Sequence, residues 1–393
     1  MTSLSKKVKR KIRPIVNPIR NLFRFSSWLM PALVRSILKL ENGNDRILLI
    51  YDTTRQPFSI GDFLVIQETS LALTHEFAAE YADIAIVYDS RNPAKADKVF
   101  QGVVSTDNVL LHLSSMMPVL NLNPKIGSLF VFNTKAALES YMVENIDKYL
   151  NIWPSCLDYG SGKYLNLHAF NTVLYDFFKK YTEIPSLSSS APLKSWALSF
   201  IHQNIYPKIP ITINIRNNRM WDGRRNSRIP EWDKFFRYAE KAYPNAMFIV
   251  ICATKEIPEE FRGLSNVIFA KDFSTELDQE LALIELSAAH LGTNSGPAAM
   301  AYFNKNPYFI FSLPIDGIEH DHFSRKDMLV HLKGNVFKFW FALDSQKFSS
   351  QPEDIDTLVS VFEEIWQTIN LEKWQIPQER DPSVSINRHS WMR

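Results

Sequence analysis

The stretch from Leu281 to Phe311, LALIELSAAHLGTNSGPAAMAYFNKNPYFIF, restricts the chain to a narrow set of folds. Leu281 to Ala289 carries apolar residues at helical spacing, and His290 to Gly292 is long enough only for a strand end. Thr293, Asn294, Ser295 and Gly296 are turn and cap residues, and Pro297 suits a first helical turn, where its missing N–H costs nothing. A short helix from Pro297 to near Asn304 and an apolar strand over Pro307 to Phe311 complete a βαβ-like unit. The turn would lie at the carboxyl end of a parallel strand, where free backbone N–H groups and the Thr293 and Ser295 hydroxyls suit a phosphate. The same residues also suit an ordinary capped helix.

The alternation of strand and helix runs through the chain. RILLIYDT, from Arg46, reads as a buried strand, with a loop and a helix starting near Gly61 after it, and DIAIVYD reads as a second strand. Asp62 falls at that helix start, where open α/β sheets place their ligands, although an Asp there commonly serves only as a cap. Residues 134–181 look mainly helical, and Tyr175, Phe177, Phe178 and Tyr181 suit a core. A length of 393 residues with 46% hydrophobic content leaves room for two cores. The pattern predicts an N-terminal α/β domain over 41–182, a Pro- and Ser-containing linker over 183–207, and a second α/β domain over 208–350. Residues 351–393 read as a helix crossing back to the first domain and a tail.

The second domain opens with the strand IPITINIR, residues 209–216. Arg216, Arg219, Arg224, Arg225 and Arg228 follow within thirteen residues, balanced only by Asp222. Guanidinium forks pair two phosphate oxygens at once, so this loop suits a pyrophosphate; it equally fits a solvated surface loop. After the strand ending at Phe311, Asp316, Glu319, His320, Asp321 and His322 form a second polar loop. It could contact a sugar or nucleotide, hold a metal, or be a plain loop. The Asp354-Ile355-Asp356 triplet imitates a metal motif, but it opens a helix, whose dipole better explains its carboxylates.

Charge is unevenly distributed. Residues 1–40 hold ten Lys or Arg and no Asp or Glu, leaving 34 basic against 42 acidic residues for the rest. A mildly acidic body argues against nucleic-acid binding. Between Arg20 and Leu40, Arg20, Arg24, Arg35 and Lys39 share one helical face and Leu22, Leu29, Leu33 and Ile37 the opposite one. Arg24 and Arg35 exclude a transmembrane span, which needs roughly 20 apolar residues. This basic amphipathic helix suits an anionic membrane surface, or packing on its own domain. Cys156 and Cys252 stand far apart, as expected of reduced thiols in a cytoplasmic setting.

Three segments carry a resemblance to the GT-B superfamily of nucleotide-sugar glycosyltransferases over roughly residues 45–370. SIGDFLVIQETSLAL looks like the first βα corner of heptosyltransferase-type members, and HLGTNSGPAAMAYFNKNPYFIF is similar to their donor-binding corner. INIRNNR resembles the His-x-Arg motif of fucosyltransferase-type members, with Asn214 in the place of His. The resemblance implies two Rossmann-like domains facing a cleft, and transfer of a sugar from a nucleoside diphosphate to a hydroxyl of a lipid-linked or cell-envelope glycan. Asp62 would be the catalytic base. Arg216, Arg219, Thr293, Asn294, Ser295 and Gly296 would hold the donor phosphates, with Gly61, Glu319, His320 and Asp321 as further sugar or nucleotide contacts. No metal or other cofactor is implied, and the setting would be the inner face of a membrane. An epimerase or hydrolase on the same fold, or a non-catalytic docking subunit, remains open.

Overall fold

In the computed structural model, the described residues are 45–56, 59–94, 103–155, 167–218, 226–313, 332, 335 and 337–369. The basic N-terminal segment, Arg219, Arg224, Arg225, the loop holding Glu319, His320 and Asp321, and the tail all lie outside them.

The first half is a four-stranded parallel sheet of β1 (Arg46–Asp52), β2 (Tyr81–Val87), β3 (Ile126–Phe132) and β4 (Asn151–Trp153), in spatial order β3-β2-β1-β4. Helices α1 (Ile60–Glu76), α2 (Val109–Met116), α3 (Lys135–Asn145) and α4 (Leu167–Tyr181) alternate with the strands. β1 is a near-continuous apolar run because helices cover both its faces. Ile47 and Leu49 pack towards the α1 side, while Leu48 and Ile50 meet Leu138 and Met142 of α3.

Helix α5 (Ala191–Asn204) leads to the second half. Its ground was expected to be linker, but Pro192 in its first turn and Ala197, Phe200 and Ile201 buried on one face make it a packed helix. Strands β5 (Ile209–Asn214), β6 (Ala246–Ile251), β7 (Val267–Phe269), β8 (Ala289–Thr293), β9 (Tyr308–Phe311) and β10 (Gln346–Phe348) form a parallel sheet ordered β10-β9-β8-β5-β6-β7. Numbered by appearance within this half, the strands lie 3-2-1-4-5-6, the dinucleotide-binding order. Helices α6 (Ile229–Ala242), α7 (Leu277–Leu286), α8 (Ala298–Tyr302) and α9 (Ile355–Thr368) complete it. The expected architecture, two Rossmann-like domains facing each other at their carboxyl strand ends, is the one observed.

Two further expectations change. β4 interrupts the region read as helical: a three-residue strand has little pattern of its own, and pairing with Ile47–Leu49 defines it. Helix α9 does not cross back to the first half; Leu358, Phe362 and Ile365 pack into the second sheet's own core beside Trp232, Phe235 and Phe248. Asp354 caps α9, accepting from the Thr357 N–H at 2.9 Å and the Thr357 hydroxyl at 2.6 Å.

The two halves share one apolar core. Phe63, Leu64 and Ile66 of α1 belong to the same buried cluster as Leu281 and Leu283 of α7, Ala298 and Met300 of α8, and Tyr308 of β9. Helix α1 is buried on nearly every side, Gln67, Glu68, Thr69 and Ser70 included. Polar ties reinforce the junction: Glu285 accepts from the Ser189 N–H at 2.7 Å and lies 3.2 Å from Lys194 Nζ, and Asn121 donates to Asp278 at 2.9 Å.

Candidate functional site

The second sheet reverses its winding between β5 and β8, a switch point of the kind at whose carboxyl side open α/β sheets bind ligands. The strands approach closely there. At the last paired position, Asn214 opposite Gly292, Gly292 has φ +147°, and a Cβ on it would lie 2.3 Å from the Asn214 carbonyl oxygen. Asn214, 2% exposed, joins the rims of three strands: its amide donates to the Ile251 carbonyl at 3.0 Å, and its Oδ1 accepts the Ser295 hydroxyl.

These contacts redistribute the roles expected of the 293–296 turn. Thr293 is fully buried as the last residue of β8. The Ser295 hydroxyl proton goes to Asn214, which leaves only oxygen lone pairs for a ligand. Asn294 donates its N–H to the Phe311 carbonyl at 2.9 Å, and its side chain accepts the Tyr302 hydroxyl at 3.1 Å. The backbone N–H groups of Ser295 and Gly296 meet no acceptor among the described residues. α8 is five residues long and starts at Ala298, so its dipole contributes less than a long helix would.

On the other rim, Arg216 stands at the neck of the arginine loop. Ser227 closes that neck, donating its N–H to the Arg216 carbonyl at 2.7 Å and accepting the Arg216 N–H on its hydroxyl at 3.1 Å. Arg216 Nη1 donates to Asn226 Oδ1 at 3.0 Å, and the Asn217 N–H donates to Glu256 at 3.1 Å. Asn226 thus holds the Arg216 guanidinium and Glu256 the backbone N–H of the residue after it, roles not assigned to either from the sequence. Their signal is weak, since neither residue type nor spacing distinguishes them from surface polar residues.

The first half contributes the start of α1. Ser59 caps it, accepting the Asp62 N–H at 3.0 Å while its hydroxyl donates to the Asp62 carboxylate. The capping use of Asp62 is therefore real. It does not exclude a second role, because the residue remains partly exposed at a carboxyl strand end. A Cβ on Gly61 would lie 3.8 Å from Gly296 Cα, and one on Gly296 would lie 2.9 Å from Ile60 Cβ. The first βα corner of one half thus touches the 293–296 turn of the other, Ile60 and Gly61 lying against Gly296.

Asp52 is a further residue that the sequence reading passed over. Ending β1 with a fully buried side chain, it accepts the Thr54 N–H at 2.9 Å and the Thr54 hydroxyl at 2.6 Å, and pairs with Lys135 at 2.8 Å. These bonds set the course of the loop towards Asp62. An Asp closing an otherwise apolar strand was its available signal.

The arrangement is that of an α/β protein with two parallel sheets whose two halves meet where the start of α1 approaches the 293–296 turn. No protein-family model matches the sequence, and no curated protein does. Among solved structures, the chain is similar to a glycosyl transferase family 9 protein from Veillonella parvula (TM-score 0.49, 12% identity, 84% of this chain and 99% of that one). It is also similar to the E. coli ADP-heptose lipopolysaccharide heptosyltransferase II (TM-score 0.46, 11% identity, covering 84% and 99%). A third similar structure is the NodZ α-1,6-fucosyltransferase crystallised with GDP (TM-score 0.30, 9% identity, covering 67% and 94%).

Proposed function

We propose that this protein is a metal-independent GT-B glycosyltransferase. It moves a sugar from a nucleoside-diphosphate donor to a hydroxyl of a lipid-linked or cell-envelope glycan, on the cytoplasmic face of a membrane. The observation that carries the reading is the close approach of Gly61 to Gly296, which supports a site shared by the Asp62 carboxylate of one half and the turn of the other. Asp62 accepts the proton of the acceptor hydroxyl as its oxygen bonds to the anomeric carbon. The bond from that carbon to the diphosphate oxygen breaks, and the electron pair leaves with the diphosphate. Arg216, Arg219 and the N–H groups of Ser295 and Gly296 stabilise the departing charge as preorganised donors. Asn294 holds the turn, and Gly61, Glu319, His320 and Asp321 are assigned to sugar or nucleotide contacts. The basic segment over 1–40 supplies the membrane location; among the described residues, no helix is long and apolar enough to cross a membrane.

Thermal unfolding with a panel of nucleoside diphosphates and nucleotide sugars tests the donor site. A donor at a hundred times its dissociation constant is expected to add about 2.7 kcal/mol of stability, and Arg216→Ala to lose most of it. Stabilisation by none of the panel would overturn the reading. Asp62→Asn keeps a side chain able to accept from Ser59, so folding and donor binding should persist while kcat falls about 100-fold or more. Undiminished transfer by this variant would remove Asp62 as the base. Turnover of donor without acceptor would instead indicate an epimerase or hydrolase.

A further inference from the structure

Glu353 lies between β10 and α9, beside the Asp354-Ile355-Asp356 triplet, and its side chain is wholly buried. The segment that carries it is pinned to the end of β9: the Ser312 N–H donates to the Gln351 carbonyl at 3.0 Å and the Leu313 N–H to the Ser349 carbonyl at 2.9 Å. Glu231, in the first turn of α6, accepts the Ile355 N–H at 3.2 Å, so the openings of α6 and α9 are tied together. Glu353 therefore stands on a braced corner at the carboxyl side of the second sheet, the side to which β5 delivers Arg216.

A buried carboxylate is costly unless donors surround it. Here they come from the neck of the arginine loop and the start of α6. The Arg228 N–H reaches one oxygen of Glu353 and the Trp232 indole N–H the other, both at 3.4 Å. Each contact is longer than the about 2.9 Å usual for such bonds, so neither fixes the carboxylate by itself. Burial pushes the Glu353 carboxyl up, while its own backbone N–H, the Trp232 indole, the Arg228 N–H and the Ser227 hydroxyl act in the opposite direction and favour the ionised form. Ser227 is also what connects this carboxylate to Arg216. Its hydroxyl accepts the Arg216 N–H at 3.1 Å, and its own N–H donates to the Arg216 carbonyl at 2.7 Å. A serine hydroxyl has one proton to give and two lone pairs. A proton turned towards Glu353 leaves the lone pairs for the Arg216 N–H, so the carboxylate sets the direction of the bond that holds Arg216.

We infer that Glu353 is a positioning residue for Arg216, acting through the Ser227 hydroxyl, and that this carboxylate from the last strand-to-helix corner sets how tightly the protein holds a diphosphate. Glu353 touches no phosphate itself. The inference rests on the proposed donor site, and its test separates the failure of one from the failure of the other.

ADP, GDP, UDP and CDP are titrated calorimetrically into the full chain, and whichever binds the wild type most tightly serves as the probe. Ser227→Ala removes the connecting hydroxyl, and Glu353→Gln puts an amide N–H where the surrounding donors need an oxygen. Each should weaken the probe about tenfold, and the double variant no more than either single change, because both break one link. Leu358→Ala takes a buried side chain out of α9 without removing a polar contact of the neck, and should bind as the wild type does despite its lower stability. Should Glu353→Gln fail to fold, Glu353→Asp, which keeps the charge but draws it back from Ser227, takes its place. Wild-type affinity in both single variants would overturn the inference and leave the donor site standing. So would a double variant weakened about a hundredfold, the product of independent effects, or equal weakening by Leu358→Ala. Binding of none of the four diphosphates by the wild type would overturn the donor site and the inference with it.

Discussion

Gly292→Ala is expected to be among the most damaging single substitutions in this chain, costing about 3 kcal/mol or more of stability. A methyl group there would lie 2.3 Å from the Asn214 carbonyl oxygen and 2.7 Å from its nitrogen, and both are backbone atoms inside a paired sheet. Relief requires β5 and β8 to separate at their carboxyl ends, which would move Asn214 away from Ser295 and shift the neck that holds Arg216. Donor-induced stabilisation should therefore vanish together with the lost Tm. Gly263 provides the control. Its φ of +86° is also left-handed, but no atom lies within 4 Å of its added Cβ, so Gly263→Ala should cost only local strain, about 1 kcal/mol. Equal losses in the two variants, measured by chemical denaturation, would show that close approach at the switch point is not the cause.

The second large effect concerns Glu68. Its side chain is wholly buried in α1, neither carboxylate oxygen meets a hydrogen-bond partner among the described residues, and burial raises its pKa well above the ordinary value. The folded protein thus binds a proton that the unfolded chain releases near pH 4.5. Between those two pKa values folding stability falls as pH rises, by up to about 1.4 kcal/mol per pH unit from this residue alone. Glu68→Gln removes that dependence. The variant should be more stable than the wild type at pH 7, with a gap that narrows towards pH 4.5. Denaturation midpoints at pH 5, 6, 7 and 8 measure it, and a gap constant with pH would rule out titration of Glu68 as the source.

What was legible in the sequence follows from the range over which each feature is determined. β1, β2, β5 and β6 stand out because a strand buried on both faces is apolar throughout, and the carboxylates around Asp354 read as a helix opening, where the structure adds that Asp354 is its cap. The 293–296 turn was legible as a turn, but not the direction of its hydroxyls. Thr293 is wholly buried at the end of β8, and Ser295 is engaged by Asn214, 81 residues away in the chain. β4 exists because β1 offers it an edge, and α5 was obscured by the Pro and Ser residues that begin it. Asp52 and Glu256 matter through partners on other elements, which no local pattern announces.

The apolar core that runs unbroken from α1 through α7 and α8 has a consequence for modularity. Proteins of two α/β halves invite recombination, with one half exchanged for another. Here the seam is not a hinge between separable units. Helix α1 belongs to the first half by sequence and to both by packing, so a cut at the connecting chain exposes Phe63, Leu64, Leu281 and Met300 together. A working chimera would have to carry the matching α7 and α8 surfaces along with α1, and new specificity in this lineage would more readily arise in the loops than by exchange of halves.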